Sequence, residues 1–116
     1  IQDGVTNPPL SDYIWWCGNY SDSTYYNTTK PVGLKLPNGF GLYDMQGNVS
    51  EWTADWSGCG FPGTSIDPYC SSVGTSRILR GGYFISYASN SRASDRWGYP
   101  SGYPGLNLGF RLGLHP

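Results

Sequence analysis

Cysteine and histidine are the residue types in this sequence best suited to nucleophilic, redox or transition-metal chemistry, and there are few of them. Cys17, Cys59 and Cys70 are the three cysteines, and His115 is the single histidine. No two of these residues have the close spacing of a metal-binding pair, and a catalytic Cys/His pair has one candidate histidine at most. The sequence therefore offers almost no material for a zinc site or a thiol nucleophile.

Cys59 and Cys70 flank GFPGTSIDPY, a stretch rich in turn-forming residues. A disulfide here would restrict a loop that little else orders, and the loop-entropy model assigns such a short closure about 2 to 3 kcal/mol. Two reduced, buried thiols are the alternative, and the spacing alone does not decide between them. Cys17, beside Trp15 and Trp16, is expected to be a core or leftover thiol.

The composition limits the class of protein and its partners. A chain of 116 residues is long enough for one domain, and its 7 Lys+Arg residues are scattered and balanced by 8 Asp+Glu residues. We therefore expect no nucleic-acid partner and, because no apolar run is long enough, no membrane insertion. The 16% aromatic content, with 17 Gly and 9 Pro, predicts a loop-rich fold held by aromatic packing rather than a disordered chain.

Turn and strand patterns predict the elements that position these residues. Asn38-Gly39 is a tight-turn signal, and ILRGG is typical of a short strand that ends in a glycine pair. Trp52 and Trp56 are expected in the core, on one face of a short helix or an irregular turn. LNLGFRLGL alternates apolar and polar or small residues, which predicts a half-buried strand with four apolar residues on its buried face: Leu106, Leu108, Phe110 and Leu112. No long amphipathic helix is visible, so the expected class is α+β or irregular β.

Three motifs in this order carry a family resemblance: PNGFGLYDMQGNVSEWTADW, RILRGG and LGFRLGL. Over about residues 13–113 the chain resembles the sulfatase-modifying-factor domain, the family of the formylglycine-generating enzyme. The resemblance implies an α+β, C-type lectin-like fold with little regular secondary structure. It covers only the C-terminal half of the usual domain. Residues 1–116 are therefore expected to form a single domain that lacks the usual N-terminal half, and that half or a companion chain is a candidate partner.

The resemblance implies a calcium site in the segment Asp44–Glu51. Asp44 and Glu51 would supply side-chain oxygens, while Gly47 and Val49 would supply main-chain carbonyls. Calcium prefers several hard oxygen ligands, and two carboxylates provide the counter-charge. Without the resemblance, Asp44 would be expected to cap a turn and Glu51 to be solvated.

The same resemblance argues against catalysis by this chain. Formylglycine-generating members use a copper-binding cysteine pair a few residues after the glycine pair, because thiolates are soft ligands that hold Cu(I). Here residues 83–92 contain no cysteine, and Ser86 and Ser91 stand about where the thiols would be. A hydroxyl cannot replace either thiol, so no catalytic residue is expected. A fragment of a formylglycine-generating or sulfoxide-synthase-type oxidase, with its catalytic residues elsewhere, is the alternative.

A third branch of the family, the variable proteins of diversity-generating retroelements, is non-catalytic and carries a hypervariable segment between strands like RILRGG and LGFRL. Here residues 83–103 occupy that place, and their Tyr, Ser, Gly and Asn content is typical of an antibody-like binding surface. Phe84 lies in this segment too, with burial in the core as its alternative role. The resemblance implies the following ligand contacts: Tyr83, Ile85, Ser86, Tyr87, Asn90, Asp95, Trp97, Gly98, Tyr99, Ser101, Gly102 and Tyr103.

Together these features predict a calcium-stabilised, non-catalytic display module whose ligand is an unidentified protein or other macromolecule. A fixed structural subunit of a surface assembly is a further alternative to the oxidase fragment. The cell surface or a virion is the favoured location, with the cytoplasm as the alternative. A lectin-like fold does not by itself imply sugar binding.

Overall fold

The computed structural model describes residues 9–20, 27–60, 69–71 and 74–113. Within these ranges the regular elements are a first 3-10 helix at Leu10–Asp12, β1 at Ser50–Trp56, β2 at Ser76–Arg80, a second 3-10 helix at Ala88–Ser91, β3 at Trp97–Pro100 and β4 at Leu108–Phe110. The predicted mixed class with little regular secondary structure is confirmed. Among the described residues there is no helix of the length and apolar character that a membrane span requires.

The four strands form one sheet in the order β3-β2-β1-β4. β2 is antiparallel to both β1 and β3, whereas β4 runs parallel to β1. Between Trp52 and Trp56 the β1–β2 register shifts, because Trp52 pairs with Leu79 while Trp56 pairs with Arg77. The prediction that the two tryptophans share a helix or turn face is therefore wrong. Their spacing of four fits an extended strand once a bulge absorbs the extra residues.

β2 is one of the two inner strands, and it ends where the glycine pair was expected to end it. Ile78 and Leu79 are both buried although their side chains point to opposite faces, so both faces of the sheet are covered at this point. Gly81 and Gly82 follow with φ of 91° and 71°. This left-handed backbone strongly favours glycine, and it turns the chain away from the sheet.

β4 is shorter and more exposed than its sequence pattern predicts. Only three residues pair with β1, and the side chains of Leu106 and Phe110 are 95% and 74% exposed. Leu112 is exposed as well, so only Leu108 of the four predicted apolar residues is partly buried. The alternation requires a core against one face of the strand, but β4 lies at the edge of the sheet and this face is open to solvent in the part of the chain that the structure describes.

The core joins aromatic and aliphatic side chains from distant segments. Ile14, Trp15, Leu79 and Phe84 are buried together with one lysine, Lys30. The Lys30 ammonium donates a hydrogen bond to the Tyr20 carbonyl at 2.8 Å and lies 5.8 Å and 5.9 Å from the ring centroids of Trp15 and Phe84. Aromatic faces and a carbonyl thus replace water around the buried charge. The burial of Phe84 agrees with its alternative role in the core.

Cys59 and Cys70 form a disulfide, which decides between the two alternatives that their spacing left open. Cys70 is also held to β1, because its N–H donates to the Asp55 carboxylate at 2.9 Å. The disulfide closes a loop of which residues 61–68 lie outside the described part. Cys17 keeps its thiol free and is partly buried.

Candidate ligand-binding site

A recess of about 720 Å³ lies between the glycine pair, the second 3-10 helix, β3 and the chain that leads into β4. Its volume falls in the range of ligand-binding pockets. We call it the aromatic recess, and its lining includes most of the predicted ligand contacts: Tyr83, Ile85, Ser86, Tyr87, Asn90, Asp95, Trp97, Tyr99 and Tyr103. The fold thus brings the two ends of the predicted segment together.

The glycine pair determines how closely the second 3-10 helix approaches the sheet. A Cβ atom at Gly82 would lie 2.7 Å from the Ser91 hydroxyl and 3.0 Å from the Asn90 carbonyl oxygen. These distances are too short for real contacts, so a side chain at this position would push the helix away. Gly82 therefore sets the position of one wall of the aromatic recess.

Hydrogen bonds from the core hold the main chain of the recess. The Phe84 N–H donates to the Asn48 carbonyl, and the Cys17 N–H donates to the Ser86 carbonyl, each at 3.0 Å. On the β3 side, Nη1 of Arg80 donates to the carbonyls of Ala93 and Asp95 at 3.1 Å and 3.0 Å. The main chain of this segment is therefore held by core main-chain groups and by Arg80 rather than by the exposed aromatic side chains of the recess.

Several of those side chains are large and face solvent. Tyr87 is 73% exposed and Trp97 is 56% exposed, with Tyr99 and Tyr103 also exposed. Trp97 and Tyr99 lie two residues apart on β3 and therefore point to the same side of the sheet. The chain turns after Pro100 and brings the Tyr103 ring against that of Tyr99 in an edge-to-face contact, with 5.2 Å between centroids. A continuous aromatic surface results.

One acidic side chain lies beside this surface. Oδ2 of Asp95 accepts a hydrogen bond from the Trp97 indole N–H at 2.7 Å. The bond fixes the orientation of the indole and places a carboxylate at its edge. Arg80 also lines the recess, but its guanidinium is directed to the main-chain carbonyls described above.

Not every predicted contact residue belongs to this surface. Ser86 lines the recess but is only 7% exposed, and its hydroxyl accepts a hydrogen bond from the Tyr83 N–H at 3.0 Å, so the expectation that its side chain is exposed is wrong. Gly98, Ser101 and Gly102 are exposed but are absent from the lining of the recess. Gly98 faces Ser57 instead, since a Cβ there would lie 3.0 Å from the Ser57 Cβ.

Gly102 has a turn-forming role. Its φ of 90° is left-handed, and it lies in the turn that is closed by a hydrogen bond from the Tyr103 N–H to the Pro100 carbonyl at 3.2 Å. The sequence interpretation also missed lining residues outside 83–103, namely Ser50, residues 79–82 and residues 104–108. Only the long-range pairing of β1 with β4 brings the last group to the recess, so no local sequence signal could have indicated it.

The second predicted site is the segment Asp44–Glu51, which we call the 44–51 turn. Its backbone is unusual, because Asp44, Gly47 and Asn48 all have positive φ. Gly47 packs directly on Trp15, and a Cβ there would lie 2.2 Å from the Trp15 carbonyl oxygen. The turn is thus built into the core through its main chain.

Asn48 ties this turn to a segment 18 residues away. Its Oδ1 accepts the Lys30 N–H at 2.7 Å, and its Nδ2 donates to the Lys30 carbonyl at 2.9 Å, with both residues buried. The side chain therefore satisfies both main-chain groups of Lys30 as a neighbouring strand would. The sequence interpretation did not assign Asn48 this role, since only the fold brings Lys30 to it.

All four predicted calcium ligands line one recess of about 490 Å³: Asp44, Gly47, Val49 and Glu51. The two carboxylates already have partners. Oδ2 of Asp44 accepts the Gly33 N–H at 2.7 Å, and both Glu51 oxygens accept hydrogen bonds from Arg111 at 2.8 Å and 3.0 Å. These hydrogen bonds to Glu51 raise the pKa of the Arg111 guanidinium, against a smaller opposing effect of burial.

This donor set fits calcium in the types of its atoms and in their placement around one recess. Each carboxylate oxygen has a second lone pair, so Glu51 can contact a cation while it keeps its bonds to Arg111. Arg111 would then share the carboxylate with the ion and lower the net negative charge available to it. Calcium binding remains a prediction.

Comparison with known proteins agrees with the motifs and the fold. The sequence model of one protein family, the sulfatase-modifying factor enzyme 1-like domain, matches residues 5–115. The chain belongs to this family. Its relatives include the formylglycine-generating enzyme of Thermomonospora curvata, which is 37% identical over 99 residues that cover 78% of this chain and 33% of the relative.

Other members of the family have different names. The serine/threonine-protein kinase pkn1 of Chlamydia caviae is 36% identical over 103 residues, which cover 82% of this chain and 17% of that protein. This chain therefore spans a third or less of these two relatives. Since the same domain occurs in proteins named for different activities, membership of the family does not assign an activity to this chain.

Solved structures confirm the C-type lectin-like fold of the formylglycine-generating-enzyme type. Treponema denticola variable protein 1 matches with a TM-score of 0.75 and 34% identity, over 93% of this chain and 38% of that chain. PvdO from Pseudomonas aeruginosa matches with a TM-score of 0.69 and 29% identity, over 95% of this chain and 42% of that chain. The sheet and the irregular chain around it thus belong to a known architecture.

Proposed function

We propose that this chain is a non-catalytic binding module that presents the aromatic recess to a protein or other macromolecular ligand. The observation that carries the proposal is the exposure of Tyr87, Trp97 and Tyr103 on a main chain held by hydrogen bonds from the core. Rigid aromatic side chains provide contact area at a low cost in conformational entropy, and a fixed backbone lowers the cost of binding further.

The positions and bonding of the cysteines support a non-catalytic role. Ser86 and Ser91, which stand about where the copper-binding cysteines of formylglycine-generating members are expected, are both buried. Cys59 and Cys70 are joined, so Cys17 is the one remaining thiol of the sequence. A Cu(I) site of two thiolates therefore has only one candidate ligand here. The disulfide also supports a location outside the reducing cytosol, such as the cell surface or a virion.

Variation of the recess residues is the second part of the proposal, and the similarity to Treponema denticola variable protein 1 supports it. The structure limits where variation is tolerable. Tyr87, Trp97 and Tyr99 expose their side chains, whereas Ser86 bonds the main chain and Gly82 has no room for a Cβ. We therefore expect variation at the exposed positions and a constant residue at the other two.

Sequencing the encoding gene and its downstream flank in several isolates tests this part. We expect a second, imperfect copy of the codons for residues 83–108, with mismatches at adenines that fall at the exposed recess positions. Identical isolates without such a copy would contradict variability and favour a fixed structural subunit of a surface assembly.

An oxidase fragment is the second candidate, because relatives of this chain are named formylglycine-generating enzymes. The direct assay supplies the copper-loaded chain with a cysteine-containing peptide and oxygen and measures the loss of the peptide thiol. We expect no oxidation above that of copper alone. Turnover that disappears in Cys17→Ser would contradict the non-catalytic proposal.

A further inference from the structure

We infer that the aromatic recess takes a positively charged side chain, the lysine or arginine of a peptide or protein loop, between the Asp95 carboxylate and the neighbouring aromatic rings. The inference rests on the proposed binding function and names the chemistry of its ligand. It is carried by the distribution of charge in the recess and by the accessible faces of its rings.

The charge distribution favours a cation. Among the described residues that line the recess, Arg80 and Asp95 are the charged ones. The Arg80 guanidinium donates to the carbonyls of Ala93 and Asp95, so it would have to leave these acceptors before it could bind an anion. The Asp95 carboxylate uses one oxygen for the Trp97 indole, while its other oxygen has no hydrogen-bond partner among the described residues.

The aromatic rings add to this preference, because a ring face attracts a cation within about 6 Å of its centroid. Elsewhere the protein already places cations in this way. Lys35 lies 3.8 Å from the ring centroid of Trp15, and the Arg77 guanidinium carbon lies 4.1 Å from that of Trp56.

The rings of the recess, unlike those of Trp15 and Trp56, have no cation of the protein over them among the described residues. Tyr87 and Trp97 are more than half exposed, and no internal cation covers either ring within the described part of the chain. A lysine or arginine side chain has an apolar stem that can lie along these rings while its charged end reaches Asp95. The recess therefore offers both an apolar and an anionic partner to one side chain.

A random-peptide phage library selected against the full chain supplies the probes. Enriched peptides are synthesised, together with versions in which each arginine is replaced by citrulline and each lysine by norleucine. Their Kd values are measured on the wild type, on Asp95→Asn and on Asp12→Asn. The asparagine at 95 keeps an oxygen that can accept the Trp97 N–H. Asp12 is an exposed carboxylate outside the recess lining, so its variant controls for the loss of one negative charge.

We expect the recess-binding peptides to carry lysine or arginine. Their Kd should rise about fivefold in Asp95→Asn and remain unchanged in Asp12→Asn, as expected for one partly exposed charge pair. Citrulline or norleucine peptides should bind the wild type as weakly as the original peptides bind Asp95→Asn. Added salt should weaken the wild-type interaction more than that of the variant.

Two results would overturn the inference and leave the proposed function standing. One is a set of peptides that bind the wild type but not the double variant Tyr87→Ser/Trp97→Ser, and that either contain no basic residue or bind Asp95→Asn as tightly as the wild type. The other is binding of neutral oligosaccharides that survives Asp95→Asn, which would assign the recess to sugars. If neither library peptides nor oligosaccharides bind in a way that the double variant abolishes, the proposed function fails together with the inference.

Discussion

In the 44–51 turn the side chains and main chain are closely packed and take part in the fold, whereas in the aromatic recess several large side chains are exposed to solvent. Gly47 and Asn48 have positive φ and hydrogen-bond or contact Trp15 and Lys30 directly. Tyr87 and Trp97, in contrast, direct large side chains to solvent from a backbone held elsewhere. Substitution of Gly47 or Asn48 should therefore destabilise the fold, whereas substitution of the exposed side chains of the recess should change only binding.

The two regions also differ in how they use charge. At the turn, Glu51 is neutralised by Arg111 through two hydrogen bonds, and Nη2 of Arg111 also donates to the Asp44 carbonyl at 3.0 Å. The raised pKa of Arg111 keeps its guanidinium charged at neutral pH, and the contribution of this charge to stability is lost as the pH rises through the raised value. At the recess, Asp95 is paired with a neutral indole and keeps its charge available to a ligand.

The largest expected effect is that of Gly47→Ala. The added Cβ would meet a main-chain oxygen at 2.2 Å in a left-handed backbone, so we expect a loss of more than about 3 kcal/mol in the free energy of unfolding, measured by urea denaturation. Gly102→Ala is the control, since Gly102 has φ of 90° but a Cβ there would meet no atom within 4 Å, and it should cost about 1 kcal/mol. Equal losses in the two variants would contradict the packing described for the turn.

Asn48→Ala is expected to cost about 2 to 3 kcal/mol, because it removes the side chain that hydrogen-bonds both the buried N–H and the buried C=O of Lys30. Urea denaturation measures the loss. Asn90→Ala is the matched control in the recess, where the one hydrogen bond of the Asn90 side chain within the described residues comes from the exposed Ser89 hydroxyl, and it should change stability by less than about 0.5 kcal/mol. An Asn48→Ala protein as stable as the control would show that the Lys30 contact does not hold the turn.

Calcium should stabilise the turn and leave the recess unchanged. If the ion binds the folded chain at Asp44, calcium at a hundredfold excess over its Kd should add about 2.7 kcal/mol to the free energy of unfolding. Thermal denaturation with and without a chelator measures this gain, with magnesium as the ionic control. The prediction fails if the wild type gains nothing, or if Asp44→Ala gains as much as the wild type.

The smallest expected effect on stability is that of Tyr87→Ser and Trp97→Ser. Both side chains are mostly exposed, so each variant should remain within about 0.5 kcal/mol of the wild type. The same variants should lose most of their affinity for recess-binding peptides, because exposed aromatic residues carry much of the energy of such surfaces. Fluorescence anisotropy of a labelled peptide measures the affinity, and a large loss of stability instead would identify these rings as core residues.

Local sequence signals predicted those parts of the fold that depend on local backbone chemistry. The glycine pair at the end of β2 and the turn at Asn38 follow from residue type and short spacing, whereas the exposure of Tyr87 was expected only from the family resemblance. The disulfide was one of two alternatives, and only the fold shows that Cys59 and Cys70 meet.

The burial of a side chain that depends on residues distant in the sequence could not be predicted. The alternation in LNLGFRLGL predicted a longer buried strand, but burial depends on what lies over β4, and Phe110 faces solvent. Ser86 is a small polar residue of the kind found on exposed binding surfaces, yet it is buried because its hydroxyl closes the turn at Tyr83. Lys30 is buried because Asn48 and two aromatic rings from other segments surround it.

The most direct test of the central claim compares two libraries of the chain displayed on yeast and challenged with protease. One library randomises five exposed positions of the recess, and the other randomises five positions at or next to the 44–51 turn. The recess set is Ile85, Tyr87, Trp97, Tyr99 and Tyr103, and the turn set is Asp44, Gly47, Asn48, Glu51 and Arg111. If the recess is a replaceable surface on a fixed scaffold, most members of the first library stay protease-resistant and most of the second do not. Equal loss of resistance in both libraries would contradict the claim that the recess side chains are independent of the fold.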